Sequence, residues 1–387
     1  MQQTITDRKI PLLLWLDDLD PQAMEQAVHL AELPWSVDHV AIMPDAHVGY
    51  GMPIGGVMAT REVVIPNAVG VDIGCGVCAV QTDLRNITAS ELKKIMSRVR
   101  EAVPLGFKHH KKPQARERMP VPDEATMPIV CREYERARKQ LGTLGGGNHF
   151  IEIQQGDDGR IWLMVHSGSR NLGHQVASHY NKTAVRLNEK NDSPVPKSWQ
   201  LAALSLDSDE GQNYLAEMNF CVDFALANRR LIMERLQDAV TDVVGQICFG
   251  ELINKSHNFA AMEVHGDREV MVHRKGAVRA FAGETGPIPG SQGTASYIVT
   301  GRGNPASFCS CSHGAGRRLG RKQAIRTLDL RREQQQLEKL GIIHSLRRKK
   351  DLDEAPSAYK DIDTVMALQA DLVDIRVKLR PLAVIKG

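Results

Sequence analysis

Apolar side chains recur every three to four positions in two stretches near the start of the chain, residues 19–33 and 88–103. This spacing predicts amphipathic helices. Asp20, which is followed by proline, is a start signal for the first helix, and Thr88 with Glu91 forms a capping-box pattern for the second. We therefore expect the helices to begin directly after Asp20 and Thr88.

Between these helices the pattern changes to short apolar or β-branched runs that glycine and proline interrupt, which is typical of strands joined by tight loops. The same pattern returns later in the chain, and polar residues cluster where glycine and proline interrupt it. The predicted strand regions are residues 37–51, 54–66, 75–84, 142–154, 160–174, 269–303 and 307–318.

Helical spacing returns in the remaining long stretches. It predicts a helix over residues 209–244, a charged helical segment over about 320–350, and a further helix over 361–380. Residues 381–387 are expected to form a strand or a packed tail. Because no internal repeat, low-complexity tract or Ser/Pro linker is present, we expect one domain, 1–387, in which helices cover sheets.

Composition narrows the class of protein. Hydrophobic residues make up 42% of the chain and charged residues 25%, without a long uncharged apolar run, so we expect a cytoplasmic globular protein. Seven cysteines, an odd number scattered over 387 residues, argue against a disulfide scaffold. A net charge of +3 does not identify a nucleic-acid binder, and we interpret the basic runs at 107–118 and 346–350 as solvated loops or helix ends.

A carboxylate and a thiol lie three residues apart in the glycine-rich turn "GVDIGCGVC", after a strand-like run. Glycine relieves the backbone there, so the side chains of Asp72 and Cys75 are free to converge on one divalent cation. Cys75 and Cys78 also match half a zinc knuckle or a redox pair, but no second CxxC exists and Cys309 and Cys311 have a different spacing. From this turn alone, an ordinary buried thiol is as well supported as a ligand.

Three histidines stand at predicted junctions between regular structure and loops. His149 lies where a glycine loop enters a strand, His166 ends an apolar strand, and His257, followed by Asn258, comes after a helix-like segment. Taken singly, each is more often a hydrogen-bonded core or surface residue than a ligand. Together with the Asp-x-x-Cys turn they supply imidazole, carboxylate and thiolate in numbers that suit one or two first-row divalent metals.

Two further loops carry candidate phosphate-binding groups. The stretch "GPIPGSQGTASYI", residues 286–298, offers backbone N–H groups and hydroxyls, but it has no Walker spacing and a plain turn explains it as well. In "FCSCSHGAGRR", His313 has small neighbours, and Arg317 follows four residues later, close enough to stabilise a phosphoryl group. His313 is therefore a further metal ligand or a nucleophile that forms a phosphoramidate, and spacing leaves both open.

Taken in order, these blocks resemble the signature blocks of the RtcB-type RNA ligases, a family that uses GTP and manganese to join RNA ends. The matching blocks are "MPDAHVGYG", "VGVDIGCG", "LGGGNHFIEI", "HSGSR", "SHNF", "RKGAV", "IPGSQG", "SFCSCSHGAGR", "AYKDID" and "VIKG". Any single block is a modest signal, whereas their order over nearly the whole chain is specific. The resemblance implies an α+β fold: a single RtcB-like domain with packed β-sheets, surrounding helices and a central metal-binding cleft.

The resemblance also implies roles for individual residues. His313 matches the histidine that is guanylylated, which favours a nucleophile over a ligand. The implied ligands of two Mn²⁺ ions, with the cysteine bridging them, are Asp72, Cys75, His149, His166 and His257. The implied guanine-nucleotide positions are Asn148, His149, Phe150, Ile151, Glu152, His257, Asn258, Pro289, Gly290, Ser291, Gln292, Ser296, His313, Gly314, Ala315, Gly316 and Lys386, with Tyr359 and Asp45 as weaker matches.

The implied reaction joins an RNA 3′-phosphate or 2′,3′-cyclic phosphate end to a 5′-hydroxyl end, through a histidine–GMP intermediate and a 3′-guanylylated RNA, in tRNA splicing or RNA repair. Implied partners are RNA, GTP and an activating protein such as archease, with no membrane. Arg170 and Arg317 are candidates for binding substrate phosphates, and Glu152 for accepting from the N–H edge of guanine. The chain departs from the family's pattern at Tyr50, often lysine, at Cys78, and in the single histidine of "NKSHN", so we expect altered substrate preference rather than lost catalysis.

Three other functions are consistent with some of these candidate residues. A two-metal phosphoesterase would open cyclic phosphates without joining ends, and a His313→Ala variant would retain that activity. An end-capping relative would guanylylate 3′-phosphates but join them poorly. A metal-dependent RNA-binding module is the weakest of the three, because it needs neither a nucleotide pocket nor an accessible His313.

Overall fold

The computed structural model describes all 387 residues and mixes helices with strands, which confirms the expected α+β class. The strands are β1 Gln3–Ile5, β2 Leu12–Leu14, β3 Ser36–His47, β4 Ile54–Thr60, β5 Val63–Val64, β6 Gly76–Gln81, β7 Phe150–Gly156, β8 Ile161–Ser167, β9 Leu204–Ser205, β10 Ile253–Ser256, β11 Asn258–His265, β12 Arg268–Lys275, β13 Ala277–Arg279, β14 Thr285–Ile288, β15 Ser296–Gly301, β16 Ser310–Ser312 and β17 Val373–Lys386. The α-helices are α1 Pro21–Glu32, α2 Pro66–Val69, α3 Ala89–Ala102, α4 Pro128–Gln140, α5 Arg170–Lys190, α6 Asp209–Val244, α7 Arg321–Thr327, α8 Leu330–Lys339 and α9 Ile362–Leu368. Short 3₁₀ helices occupy Arg116–Arg118, Lys197–Trp199, Pro305–Ser307, Lys349–Glu354 and Pro356–Ala358.

Two large sheets organise the molecule. One has six strands in the order β1-β2-β3-β4-β12-β11, and the other has seven in the order β10-β6-β8-β7-β17-β15-β14. Two small ladders, β13 with β16 and β5 with β9, complete the strand pairing. The small β13–β16 ladder matters for function, because the residue that follows β16 is His313.

The core lies between the sheets and beneath the helices. One buried apolar cluster joins Val57 and Val272 of the six-stranded sheet to Val299 of the seven-stranded sheet. Helices α3 and α6 cover a second cluster, which includes Val80 and Leu163 of the seven-stranded sheet. Removing this apolar surface from water is the main driving force for the arrangement. Sheets packed together with helices outside are therefore confirmed, while the assignment of residues 1–387 to one domain stays a prediction.

The helix-start signals in the sequence are confirmed. The carboxylate of Asp20 accepts a hydrogen bond from the N–H of Gln22 at 2.8 Å. At α3, Thr88 and Glu91 form the complete reciprocal capping box. Each cap satisfies N–H groups that the helix itself leaves unpaired, a contribution of about 1 kcal/mol.

The predicted helix over residues 361–380 is wrong beyond its first two turns. Helix α9 ends at Leu368, and residues from Val373 onward form the 14-residue strand β17. Within β17, buried Val377 and Leu379 alternate with exposed Arg376 and Lys378, which is a period of two rather than 3.6. Pairing with β7 on one side and β15 on the other decides the outcome, because it satisfies the backbone of the strand along both edges.

The predicted charged helix over 320–350 is broken into two. The Asp329 side chain accepts from the N–H of Arg332 at 2.8 Å and so starts α8 as a separate helix. Gly341, at φ +71°, ends it. By contrast, the predicted helix over 209–244 is confirmed as the unbroken α6. None of the helices combines the length and the apolar character needed to cross a membrane.

Candidate active site

The turn that carries Asp72 and Cys75 lies between α2 and β6, so the strand-like run expected before it is in part a short helix. Gly74 in this turn adopts φ +71°, and a Cβ atom there would lie 2.8 Å from the Cα of Val222 in α6. Only glycine lets the turn approach α6 this closely. The close approach fixes where the thiol of Cys75 points.

Strands β7 and β8 bring two histidines to this turn. Nε2 of His149, just before β7, lies 3.4 Å from Sγ of Cys75, and Nε2 of His166 in β8 lies 3.2 Å from the same sulfur. Oδ2 of Asp72 is 3.1 Å from Nε2 of His149. The ligand atoms of Cys75, His149 and His166 all lie within 4.8 Å of one another, as donors to a shared ion would.

Backbone carbonyls set the orientation of both rings. Nδ1 of His149 donates to the carbonyl of Leu144 at 2.9 Å, and Nδ1 of His166 donates to the carbonyl of Asn148 at 3.2 Å. A carbonyl only accepts, so Nδ1 of each ring carries a proton. Each ring therefore turns its Nε2 toward Cys75, the orientation of histidines that bind metals.

His257 lies between β10 and β11, and the helical segment expected before it, α6, ends at Val244, ahead of β10. Its backbone N–H donates to the carbonyl of Cys75 at 2.8 Å, which joins it to the turn that carries Asp72 and Cys75. Its ring centroid is 5.2 Å from that of His166 and 4.8 Å from that of His313. His149, His166, His257 and His313 thus form a continuous row of rings. We call Asp72, Cys75, His149, His166 and His257 the metal end of the site.

Burial controls the charges at the metal end. It holds the pKa of His166 and of His257 well below the ordinary value, so both rings are neutral, and it raises the pKa of the Cys75 thiol. Burial alone would also raise the pKa of Asp72, but His149, Cys75 and Arg170 together lower it to about 2. One carboxylate beside neutral imidazoles and a thiol is a donor set that a divalent cation completes, since the cation would also displace the thiol proton.

His313 is held by a buried carboxylate. Nδ1 of His313 lies 2.7 Å from Oδ2 of Asp45, a residue of β3 with no exposed side-chain surface. The same oxygen accepts from the backbone N–H of His313 at 3.0 Å and of Gly314 at 3.2 Å. Burial would raise the pKa of Asp45, but His313, His47 and Ser312 together lower it. The His313 ring keeps 14% of its surface exposed, and because Nδ1 faces the Asp45 carboxylate, Nε2 is the nitrogen on the opposite side of the ring.

A fifth histidine, which the sequence analysis did not single out, lies beside this pair. Nδ1 of His47 donates to the backbone carbonyl of Asp45 at 3.0 Å, and the His47 and His313 ring centroids are 6.4 Å apart. Burial lowers the pKa of His47 to about 4, so the ring is neutral. The only sequence signal was its place in the block "MPDAHVGYG".

Beyond the row of histidines lies a polar pocket, where Glu152 of β7 is buried. Burial raises the pKa of Glu152 to about 8. Oε2 accepts from the amide of Gln154 at 2.6 Å, whereas Oε1 has no hydrogen-bond partner in the protein. Ser296 accepts from Gln154 at 2.9 Å and from the backbone N–H of Gly290 at 3.1 Å. A buried acceptor without a donor is costly, so Oε1 is suited to a ligand donor.

Glu354 is the centre of this pocket, and the sequence analysis missed it. Nζ of Lys386 lies 3.1 Å from its Oε2, and Arg317 and Tyr359 both donate to its carboxylate. Burial would raise the pKa of Glu354, but Lys386 and Arg317 lower it. We call Glu152, Arg317, Glu354, Tyr359 and Lys386 the nucleotide end of the site.

Some residues implied as nucleotide contacts have other partners in the structure. The side chain of Ile151 is fully buried in the apolar core. The amide of Asn258 donates to the carbonyl of Asp72 at 3.0 Å and accepts from the N–H of Gly276 at 2.7 Å, so it braces the metal-binding turn. Gln292 donates to the carbonyl of Glu354 at 2.8 Å.

Other implied contacts line the pocket. Nζ of Lys386 lies 5.6 Å from the ring centroid of Phe150. A Cβ on Gly314 would lie 3.0 Å from the carbonyl oxygen of Pro289, so the loop after His313 and the turn at Pro289 are adjacent. A Cβ on Gly316, at φ +71°, would lie 2.1 Å from the Asp45 carbonyl, which explains the glycine there.

The two candidate phosphate-binding arginines lie at different ends of the site. Arg170, at φ +58°, places Nη1 3.4 Å from Nδ1 of His149. A Cβ on Gly145 would lie only 2.2 Å from this guanidinium, so glycine is what admits the arginine. Arg317 stacks on Tyr359, with its Cζ 5.0 Å from the ring centroid. The φ of Arg170 lies in the left-handed region, which is uncommon for a residue with a side chain.

Comparison with known proteins identifies relatives over almost the whole length. The family model described as tRNA-splicing ligase RtcB matches residues 26–387. The chain is 36% identical to the RNA-splicing ligase RtcB1 of Escherichia coli, covering 100% of this chain and 99% of that protein. It is 32% identical to the tRNA-splicing ligase RtcB of Thermococcus kodakarensis, covering 95% of this chain and 91% of that protein.

Proposed function

The chain belongs to the RtcB family, and from that membership we propose that it is an RNA ligase, dependent on GTP and Mn²⁺, that joins 3′-phosphate or 2′,3′-cyclic phosphate ends to 5′-hydroxyl ends. The observation that carries the proposal is the position of His313. Its Nδ1 lies 2.7 Å from the wholly buried carboxylate of Asp45, and its ring lies next to the ligand candidate His257, at 4.8 Å between ring centroids. This arrangement suits a nucleophile beside a metal centre.

The residues of the metal end suit two divalent ions. Thiolate, imidazole and carboxylate together bind first-row divalent metals. We propose that Asp72, Cys75, His149, His166 and His257 would hold two Mn²⁺ ions. When bound, such ions supply Lewis-acid polarisation of phosphate oxygens. The protein's own part is to orient the rings of His149 and His166, whose Nδ1 atoms donate to the carbonyls of Leu144 and Asn148.

The nucleotide end suits guanine. Guanine presents adjacent N–H donors, whereas adenine lacks the N1–H, and Oε1 of Glu152 is a buried acceptor without a partner. Lys386 lies beside this pocket, at 5.6 Å from the Phe150 ring. We propose that Glu152 accepts from guanine and that the Pro289 turn, Ser296, Tyr359 and Lys386 complete the pocket.

The proposed reaction has three transfers. Nε2 of His313 attacks the α-phosphorus of GTP, a P–N bond forms and pyrophosphate leaves, while Asp45 stabilises the charge on the ring through Nδ1. An RNA 3′-phosphate oxygen then displaces His313 and gives RNA with a 3′-guanylyl group. Finally a 5′-hydroxyl attacks the RNA phosphorus, loses its proton, and GMP leaves. A cyclic phosphate end first requires opening by water.

Intact-mass spectrometry of the protein with GTP and Mn²⁺ tests this proposal. The wild type should gain one acid-labile GMP, and His313→Ala should gain none. His29→Ala is the control, because its ring stacks on Trp199 in the core cluster of α1, outside the row of active-site rings, and should not affect the adduct. Adduct formation on His313→Ala, or on neither protein, would contradict the nucleophile.

A two-metal phosphoesterase is the second candidate, because Cys75, His149 and His166 already bring three donor atoms together without His313. An assay with a 2′,3′-cyclic phosphate oligonucleotide separates the two functions. Opening of the ring by His313→Ala, together with the lack of a GMP adduct on the wild type, would favour the phosphoesterase.

A further inference from the structure

Phe107 is the most exposed large hydrophobic residue of the chain, with its side chain wholly in solvent. The residues around it are also exposed, and the loop carries the basic run that the sequence analysis interpreted as solvated. A phenylalanine of which no face is covered gains nothing from folding. Both faces of its ring are therefore available to a ligand.

The loop holds Phe107 outward instead of leaving it free to fold back. The N–H of Gly106 donates to the carbonyl of Gly145 at 2.9 Å, and the N–H of Lys108 donates to the carbonyl of Leu105 at 3.2 Å. On the other side, the N–H of His110 donates to the carbonyl of Lys139 at 3.0 Å. Phe107 is thus fixed between two anchored residues.

The charges of the loop are left unpaired where Phe107 is exposed. Lys108, Lys111 and Lys112 are all exposed, and none forms a salt bridge. Further along the same run, Arg116 and Arg118 pair with Glu135 and Glu234. The cations beside Phe107 are therefore the ones available to an anionic partner.

This surface adjoins the metal end. The anchor Gly145 lies directly under the guanidinium of Arg170, whose Nη1 is 3.4 Å from Nδ1 of His149. Gly106, next to Phe107, donates its N–H to the carbonyl of Gly145 at 2.9 Å, so the loop that carries Phe107 is joined to the backbone beside Arg170. Burial and the nearby charges of Arg136 and Arg170 lower the pKa of His109 in the same loop.

We propose that Phe107, Lys108, Lys111 and Lys112, here called the Phe107 platform, bind the single-stranded RNA next to the break. One base stacks on the Phe107 ring, and the lysines pair with backbone phosphates. An aromatic ring between cations is the combination that binds unpaired nucleic acid without reading its sequence. The inference rests on the proposed function, because it takes RNA as the polyanion that must reach this cleft.

Fluorescence anisotropy with two labelled ten-nucleotide RNAs, one with a 3′-phosphate and one with a 5′-hydroxyl end, tests the stacking. Phe107→Ala and Phe107→Leu should each raise the Kd of at least one RNA about tenfold, because leucine has no π face, and Phe107→Trp should keep it. Val264→Ala removes another exposed apolar side chain, on β11, and should change neither Kd. Unchanged binding of both RNAs by Phe107→Ala, or wild-type binding by Phe107→Leu, would overturn stacking.

Salt dependence tests the lysines. Substituting Lys108, Lys111 and Lys112 by glutamine should reduce the slope of log Kd against log salt by about 2 for single-stranded RNA, since each phosphate contact contributes about 0.7. Substituting the paired Arg116 and Arg118 should reduce it less. An unchanged slope in the triple variant would overturn the contacts between the lysines and RNA phosphates. If the triple variant bound RNA normally and lost only its binding to phosphatidylserine vesicles, the platform would be assigned to a membrane instead.

The GMP adduct separates this inference from the proposed function. All Phe107 variants should gain GMP from GTP and Mn²⁺ like the wild type, because that step needs no RNA. An absent adduct in the wild type would contradict the ligase, whereas a normal adduct with RNA binding unaffected by Phe107→Ala would contradict the platform alone.

Discussion

The metal end and the nucleotide end of the candidate site lie in one cleft but are organised by different forces. At the metal end, the rings of His149 and His166 are oriented by backbone carbonyls, and burial keeps the imidazoles of His166 and His257 neutral. At the nucleotide end, side-chain charges hold one another, with Glu354 between Arg317 and Lys386.

The difference follows from what each end is suited to bind. Neutral ligands fixed by the backbone keep their geometry before and after a cation arrives, so little reorganisation is needed. Cations paired with Glu354 can exchange that carboxylate for the phosphates of a ligand without ever being left unpaired. We therefore expect substitutions at the metal end to reduce metal binding. Substitutions at the nucleotide end should instead destabilise the folded protein.

The largest effect is expected from Cys75→Ala. Loss of the thiolate removes the donor that His149 and His166 share, so bound manganese measured by mass spectrometry of the metal should fall and GMP-adduct formation should drop at least about 1000-fold. Cys78→Ala is the matched control, because that thiol is buried in the apolar core three residues away. Equal metal content in the two variants would contradict the assignment.

A smaller effect, on stability, is expected from Glu354→Ala. This change leaves the largely buried cations of Arg317 and Lys386 without their carboxylate, and should lower the free energy of unfolding by about 3 kcal/mol in urea denaturation. Asp374→Ala breaks an exposed ion pair with Arg302 and should change it by less than about 1 kcal/mol. If both variants lowered the free energy of unfolding by the same amount, the ion pairs of Glu354 would be no more important for stability than an exposed ion pair.

The smallest effect is a pH dependence at Glu152. Because its pKa is raised to about 8, the carboxyl is largely protonated at pH 7, whereas the proposed contact with guanine requires the carboxylate. Ionisation must then accompany binding, so GTP affinity should rise up to tenfold per pH unit as pH increases toward 8 and level off above it. Calorimetry between pH 6.5 and 8.5 measures this, with ATP as the control for titration of the triphosphate. A constant ratio of GTP to ATP affinity, or the same rise in Glu152→Gln, would contradict the contact.

Local signals account for what could be predicted. The starts of α1 and α3 follow from Asp20, Thr88 and Glu91, because a cap acts on N–H groups only two or three residues away. His149 and His166 were placed correctly at strand ends for a related reason: each ends or begins an apolar run that is readable within ten residues. Strand β10, directly before His257, was not predicted, since a run of four strand residues has too few positions to show a period.

The sequence by itself determined the capped helices, the apolar runs of the central strands and the residues suited to hold a metal and a phosphoryl group, because each of these depends on neighbours in the chain. The tertiary structure alone decided that residues 373–386 form a strand, since β7 and β15 bond it from both sides. It also decided that Asp45 holds His313 and that Glu354 gathers Arg317 and Lys386. Those pairs are separated by tens to hundreds of residues, and only the packing of the two sheets brings them within hydrogen-bond distance.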